Sequence, residues 1–291
     1  MVAARGSPGG AIRVLVTGAA GTIGTAVCAR LRAAGAGIHA LVQPAAPVEG
    51  ARRVVAGDAG DPEVVEAAIG DGVDAVVHLA AIPHPLTDPP LTVFAGNTRA
   101  TFAVLEGAAG RGVRRAVIAS SYSILGLRFA PRTLHPAYYP IDEATPQQAE
   151  DAYSLSKQVD EATAAMMHRR HGLDIVALRF PFTAVPARLA EVAQKCARDP
   201  GTMAADSWSY LHADDAAEAV WLGLTRPVRG VHPLLLAAPE TMSATPTEEL
   251  IARYHPDTPL RRPIPGRATP IDTGAIERLL GFHATRLLPV G

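Results

Sequence analysis

Over its first 180 residues the chain alternates short aliphatic, β-branched runs with longer stretches whose apolar residues recur at helical spacing. Residues 12–16, 38–42, 53–55, 73–79, 114–119 and 174–179 read as strands. Residues 26–31, a segment opening near Asp61-Pro62, 91–112 and 149–171 read as helices. Strands alternating with helices predict an α/β fold with a doubly wound parallel sheet. After Phe182 the pattern breaks up. Residues 187–198 and 214–224 read as helices and 207–211 and 234–237 as short strands, before a tail with an apolar pattern at 276–280. The expected organisation is a nucleotide-binding unit over 11–180, to which 211–238 return. A small C-terminal region takes in 181–210 and 239–291, and residues 1–10 form a flexible tail. The Pro- and aromatic-rich segment 124–150 carries Arg128, Arg132, His135, Tyr138 and Tyr139. A loop of that length is functional or disordered.

Composition narrows the functions. Of 291 residues 48% are hydrophobic, enough for a large core, and the net charge of −1 gives no reason to expect nucleic acid or an anionic membrane as partner. No apolar stretch is long enough to span a bilayer, and residues 1–10 lack the apolar run of a signal peptide. Cys28 and Cys196, the only cysteines, cannot build a disulfide framework or a four-thiolate metal site. A cytoplasmic protein without a metal is expected.

Glycine spacing supplies the first candidate chemistry. The first strand leads into Thr17-Gly18-Ala19-Ala20-Gly21-Thr22-Ile23-Gly24, and a helix follows. Strand, glycine turn and helix form a dinucleotide-binding context. Gly18 permits the tight turn, Gly21 lets the backbone approach a pyrophosphate, and Gly24 lets helix and strand pack closely. Thr22, Ile23 and Gly24 open the helix whose N–H groups face the phosphates. An acid ending the second strand would select NAD and an arginine NADP. Gln43 stands there, so the cofactor is NAD or NADP. Asp58 is placed either to accept from an adenine amino group or to serve as a turn aspartate ahead of the next helix. Ala80 and Ala81, small residues after the fourth strand, allow a flat ring against the backbone, whereas His78 among valines reads as packed.

Tyr153-Ser-Leu-Ser-Lys157 puts a phenol and an ammonium about one helical turn apart. A cation beside a phenol favours the phenolate, which makes the pair a proton carrier for carbonyl–alcohol interconversion. Lys157 and Lys195 are the only lysines, so the spacing is informative. The fifth strand delivers Ser120-Ser121-Tyr122-Ser123 at its carboxyl end, where ligands of parallel sheets bind.

Taken in order, the glycine motif, Asp58, His78-Leu-Ala-Ala81, Asn97, Ser120-Ser121, Tyr153-x-x-x-Lys157, Leu178-Arg179-Phe180 and Leu211-His-Ala-Asp-Asp215 resemble the extended short-chain dehydrogenases/reductases of the NAD-dependent epimerase/dehydratase type. The resemblance runs over about residues 11–282. It implies a Rossmann sheet with a small substrate-binding C-terminal region, and a nicotinamide cofactor at the sheet's carboxyl edge. Tyr153 is then the general acid/base. Lys157 supports it and bonds the nicotinamide ribose. Ser121, five residues before Gly126, holds the substrate oxygen. Asn97, four before Thr101, lies near the cofactor, and Pro181 and Phe182 flank the nicotinamide. A homodimer through the two long helices is expected, with Ala100, Val104 and Ala108 on the first and Ala162, Ala165 and Met166 on the second as its apolar stripes.

Departures from the family pattern narrow the reaction. Ser121-Tyr122-Ser123 replaces the Thr-Asp-Glu that dehydratases resemble, so the acid and base for eliminating water are missing. Phe182 replaces an Asn, and Trp208-Ser209 an Arg, that nucleotide-sugar enzymes use near the substrate diphosphate. The expected activity is an NAD(P)-dependent oxidoreductase acting on a carbonyl or secondary alcohol of a small metabolite, a uronate-type dehydrogenase among them. The alternatives are a nucleotide-sugar epimerase that retains NAD and a non-catalytic dinucleotide sensor.

Overall fold

The computed structural model describes residues 11–289; the tail expected at 1–10 lies outside the described residues. Seven strands form one parallel sheet: β1 (Arg13–Thr17), β2 (Gly37–Val42), β3 (Ala51–Ala56), β4 (Ala75–His78), β5 (Arg115–Ser121), β6 (Asp174–Phe180) and, late in the chain, β9 (Val231–Leu235). Their order is β3-β2-β1-β4-β5-β6-β9, so the winding reverses between β1 and β4. Strand periodicity divides the core. Val14 and Val16 of β1 face one apolar layer and Leu15 faces the other. The first layer is closed by helices α1 (Thr22–Ala33) and α6 (Ala213–Thr225). The second is closed by α2 (Pro62–Ile69), α3 (Pro90–Gly110) and α4 (Ala152–His171).

Local chemistry sets the helix starts that matter for the site. Asp61 caps α2 by accepting from the Glu63 N–H at 2.9 Å, with Pro62 in the first turn. Asp151 caps α4 by accepting from the Ser154 N–H at 2.8 Å, so this helix begins just before Tyr153. Gly172, left-handed at φ 68°, ends it.

A third apolar cluster lies beyond the carboxyl ends of β5 and β6. It joins Tyr122, Leu125 and Tyr139 to Trp208, Tyr210 and Ile251 from later in the chain. Elements β7 (Phe182–Ala184), α5 (Pro186–Arg198), β8 (Tyr210–His212) and α7 (Thr247–Tyr254) frame it, and α8 (Gly274–Leu280) packs on the first layer. Segment 124–150 is ordered along this cluster: Tyr139 bridges to Leu260 and Ile141 to Ile271.

Some elements differ from the sequence pattern. The strand expected over 207–211 is a turn at Ser207–Trp208 followed by β8, because buried tyrosine hydroxyls hold Ser207. The strand expected at 234–237 begins earlier, as β9, on an edge where Pro233 is tolerated. Ala100, Val104 and Ala108, expected to form an unpartnered stripe on α3, are buried in the second layer of the chain's own core. Apolar side chains that α3 and α4 leave exposed include Phe102 and Leu155.

Candidate active site

The winding reversal opens a cleft beyond the carboxyl ends of the strands, where ligands of such sheets bind. One half is a groove of about 720 Å³ whose walls include Gly18, Gly21, Gln43, Asp58 and Ala80. Gly18 has φ +66°, and a Cβ there would lie 2.8 Å from the Ala80 nitrogen. A Cβ on Gly24 would lie 2.1 Å from the Gly18 oxygen, so helix and turn could not close. Gly21 differs: its Cβ would meet only the Gly18 oxygen, at 3.3 Å, so its outer face is open. Gly21 is also the N-cap of α1, with no side-chain cap and no acid in the first turn. The first N–H groups of α1 therefore have no side-chain partner, and no acid offsets the positive helix end.

Asp58 sits on this groove wall, accepting from the Gly60 N–H at 2.8 Å and paired with Arg99 of α3. The helix-capping role belongs to Asp61. Arg99 was not legible in the sequence, since 41 residues separate it from its partner. Gln43 is exposed at the end of β2. Asn97 lines the groove, but its amide is committed: it accepts from the Ile82 N–H at 2.8 Å and donates to the Ile82 carbonyl and to Ser156 Oγ, both at 3.1 Å. It clamps the β4–α3 loop onto the turn of α4 that carries Tyr153. His78 is packed between Thr17 and Thr101, at 2.8 and 3.2 Å, and burial pushes its pKa down to about 3, so it stays neutral.

The other half of the cleft is a cavity of about 500 Å³ at the ends of β4, β5 and β6. Ser121, Tyr153 and Lys157 all reach it, together with Ile23, Ala81 and Pro181, and Phe182 closes one side. Lys157 is buried, with Nζ 5.9 Å from the Tyr153 ring centre. It donates to the Ala119 carbonyl and to Asp160 Oδ2, each at 3.0 Å, which leaves one N–H. Burial alone would lower the lysine's pKa; the Asp160 carboxylate and the Tyr153 oxygen outweigh it and hold it above the ordinary value. Asp160 was overlooked in the sequence, although a carboxylate three residues past a lysine on one helix is a readable signal.

The serines divide by their partners. Ser120 Oγ donates to Glu161 at 2.6 Å, and Glu161 in turn holds Arg179 bidentately. Ser121 Oγ accepts from the Ser123 N–H at 3.0 Å and keeps its own proton to donate. Phe129 packs edge-on against Tyr153, ring centres 5.9 Å apart. Among the basic residues of 124–150 only Arg128 lines the cavity: Arg132 pairs with Glu150, and His135 meets His255 edge-on, their Nδ1 atoms 2.9 Å apart. Cys28 and Cys196 are free and buried, and burial pushes both thiols up to about 11, so neither is a nucleophile here. No metal-ligating cluster occurs among the described residues.

The chain has recognisable relatives among known proteins. The model of the NAD dependent epimerase/dehydratase family matches residues 14–237. The chain is 29% identical over 171 residues to uronate dehydrogenase of Pseudomonas putida, covering 57% of this chain and 59% of that protein. It thus matches under two thirds of that relative's length. It is also 29% identical over 266 residues to UDP-glucose 4-epimerase of Azospirillum brasilense, covering 77% and 71%. A short-chain dehydrogenase/reductase superfamily protein from Agrobacterium tumefaciens, solved with bound NAD, superposes with a TM-score of 0.71 at 23% identity, over 94% of this chain and 93% of that one. That last likeness speaks to the fold. With the family model spanning the sheet, the glycine turn and the Tyr–Lys helix, the chain belongs to the NAD dependent epimerase/dehydratase family of the extended short-chain dehydrogenases/reductases.

Proposed function

We propose that the chain is an NAD-dependent oxidoreductase that interconverts a secondary alcohol and a carbonyl on a small metabolite, with Tyr153 as general acid/base. The observation that carries this reading is the meeting of Tyr153, Lys157 and Ser121 in one cavity next to the glycine-lined groove. The groove suits a dinucleotide: Gly21 has open space where a pyrophosphate would approach, and the uncapped start of α1 offers it N–H donors. Asp58 and Gln43 would hold the adenosine end, and Ala80, Ala81, Pro181 and Phe182 the nicotinamide end. NAD, when bound, supplies the hydride acceptor or donor. Gln43 can bond a ribose hydroxyl but brings no charge to a 2′-phosphate, which favours NAD over NADP.

The chain's own residues handle the proton. Ser121 donates a hydrogen bond to the substrate oxygen and fixes it near the Tyr153 hydroxyl. In oxidation Tyr153 takes the hydroxyl proton as the carbon gives up hydride; in reduction it returns that proton to the oxygen. Lys157 stabilises negative charge on the tyrosine oxygen, and its remaining N–H is free for a ribose hydroxyl. Phe129 and Phe182 restrict water. Phe102 and Leu155, exposed on α3 and α4, support a homodimer through these helices. The free buried thiols suit a reducing compartment, which we take to be the cytoplasm.

Tyr153→Phe tests the reading. It removes one hydroxyl, so fold and NAD affinity should persist while kcat falls about 10²- to 10⁴-fold. Turnover near the wild-type rate would place the proton carrier elsewhere. The likeness to a UDP-glucose 4-epimerase over 71% of that protein favours a second reading, epimerisation with retained NAD. It requires that the purified protein release stoichiometric NAD on denaturation and show no net NADH production.

A further inference from the structure

One wall of the cavity carries an arginine with uncommitted donors. Arg128 lies just past the turn that follows Ser121; its side chain is 39% exposed and lines the cavity. Its Nη1 is 2.9 Å from Asp206 Oδ2, an ion pair that is not aligned as a hydrogen bond. Among the described residues Arg128 makes no side-chain hydrogen bond, whereas Arg179 and Arg188 direct N–H groups to Glu161 and Glu191. Its planar fork therefore keeps its donors for something else.

The partner carboxylate, Asp206, is itself held in place. It is 7% exposed and precedes Ser207 and Trp208, at φ 49° and 53° the only non-glycine residues with positive φ among those described. Such backbone persists only where its surroundings over-determine it. Here Ser207 Oγ is bonded to the hydroxyls of Tyr122 and Tyr139, at 2.8 and 2.9 Å, and Trp208 Nε1 donates to the Pro200 carbonyl at 2.8 Å. Burial pushes the Asp206 carboxyl up to about 6, against the pull of Arg128, so it is still ionised at neutral pH.

We propose that Arg128, oriented by Asp206, binds a carboxylate of the substrate, so that the alcohol handled by Tyr153 belongs to a small organic acid of monosaccharide size. The inference rests on the oxidoreductase reading above. A guanidinium fork presents two parallel donors to a carboxylate, and Phe129 and Phe182 line the same cavity, so a bound ligand would shed water beside it. Among the charged residues that line the cavity, Arg128, Lys157 and Arg188 outnumber Asp206; Asp160 and Glu191, the partners of Lys157 and Arg188, stand outside its lining, and the Arg188–Glu191 pair is exposed and weakly held. A cavity of about 500 Å³ that also takes the nicotinamide suits a monosaccharide-sized acid better than a nucleotide sugar. Asp206 is a positioning residue in this scheme; Arg128 makes the contact.

The test is NAD reduction by the full chain on matched probes: D-glucuronate and D-galacturonate against D-glucose, D-galactose and UDP-glucose. The acids should be favoured about a hundredfold or more in kcat/KM, the scale of a desolvated charge contact. Arg128→Met should collapse that preference mainly through KM, and Arg128→Lys should restore part of it. Should Arg128→Met fail to fold around an unpaired Asp206, Arg128→Met/Asp206→Asn removes both charges and must show the same collapse. A preference for the hexoses or for UDP-glucose, or a KM for the acids unmoved by these variants, overturns the carboxylate site while leaving Tyr153 in its role. Failure of every probe to reduce NAD, with NAD binding intact, defeats the oxidoreductase reading and the inference with it.

Discussion

The two halves of the cleft are made of different materials. The groove at the ends of β1, β2 and β3 is shaped by backbone: the left-handed Gly18, the open face of Gly21, the close approach at Gly24 and the uncapped start of α1. The cavity at the ends of β4, β5 and β6 is shaped by side chains from distant segments: Ser121 from a strand end, Tyr153 and Lys157 from a helix, Arg128 from a loop, Asp206 from a strained turn. A backbone site accepts a ligand common to many proteins, because any sequence with the right glycines builds it. A side-chain site is particular to its chain. Binding of the dinucleotide and choice of substrate should therefore fail separately.

The sharpest separation is expected at Gly21→Val. The added carbons project into open space where the pyrophosphate would lie, so thermal stability should stay near wild type while NAD binding disappears from a calorimetric titration. Unchanged affinity would remove the groove from the functional account. The next effect sits where the halves meet. Asp160→Asn leaves Lys157 buried without its carboxylate, and losing one partner of such a pair costs about 3–5 kcal/mol. Because the lysine's pKa is held above its unfolded value, this stabilisation is fully present at neutral pH and is lost as pH rises through the folded-state titration. Denaturant melts at pH 7 should show the loss, and lysine-selective NMR, simple in a chain with two lysines, should show Lys157 titrating lower. A variant as stable as wild type would mean that the Ala119 carbonyl alone holds the ammonium. The smallest change is expected at Gln43→Arg, on the exposed rim. A charge for a 2′-phosphate should move the NADPH/NADH ratio of kcat/KM by about tenfold, some 1.4 kcal/mol, without altering the preference among substrates. A wild-type preference for NADH above about a thousandfold, some 4 kcal/mol, would mean that another group on the same groove, such as Asp58 or Arg99, reads the ribose.

The groove was readable because local spacing specifies it: glycine at 18, 21 and 24 between a strand and a helix fixes a turn geometry whatever surrounds it. Tyr153 and Lys157 were readable for the same reason, four residues on one helix. Pairings across space were not. Arg99 meets Asp58, and Arg128 meets Asp206, only because strand order brings separate segments together. The apolar stripe at Ala100, Val104 and Ala108 shows the complementary error. Helical periodicity marks a face as buried without saying what buries it, and here the chain's own core does.

From sequence alone follow the parallel sheet, the glycine turn and the placing of Tyr153 and Lys157 on one helix face, each set by contacts within about one turn or one strand–helix junction. Only the tertiary structure decided which serine keeps a free proton, that Asn97 serves as a clamp, and that segment 124–150 contributes Arg128 and not Arg132 or His135 to the cavity. Those outcomes depend on which distant group claims each donor and acceptor first. Burial forces every such claim to be met, and no spacing along the chain records it.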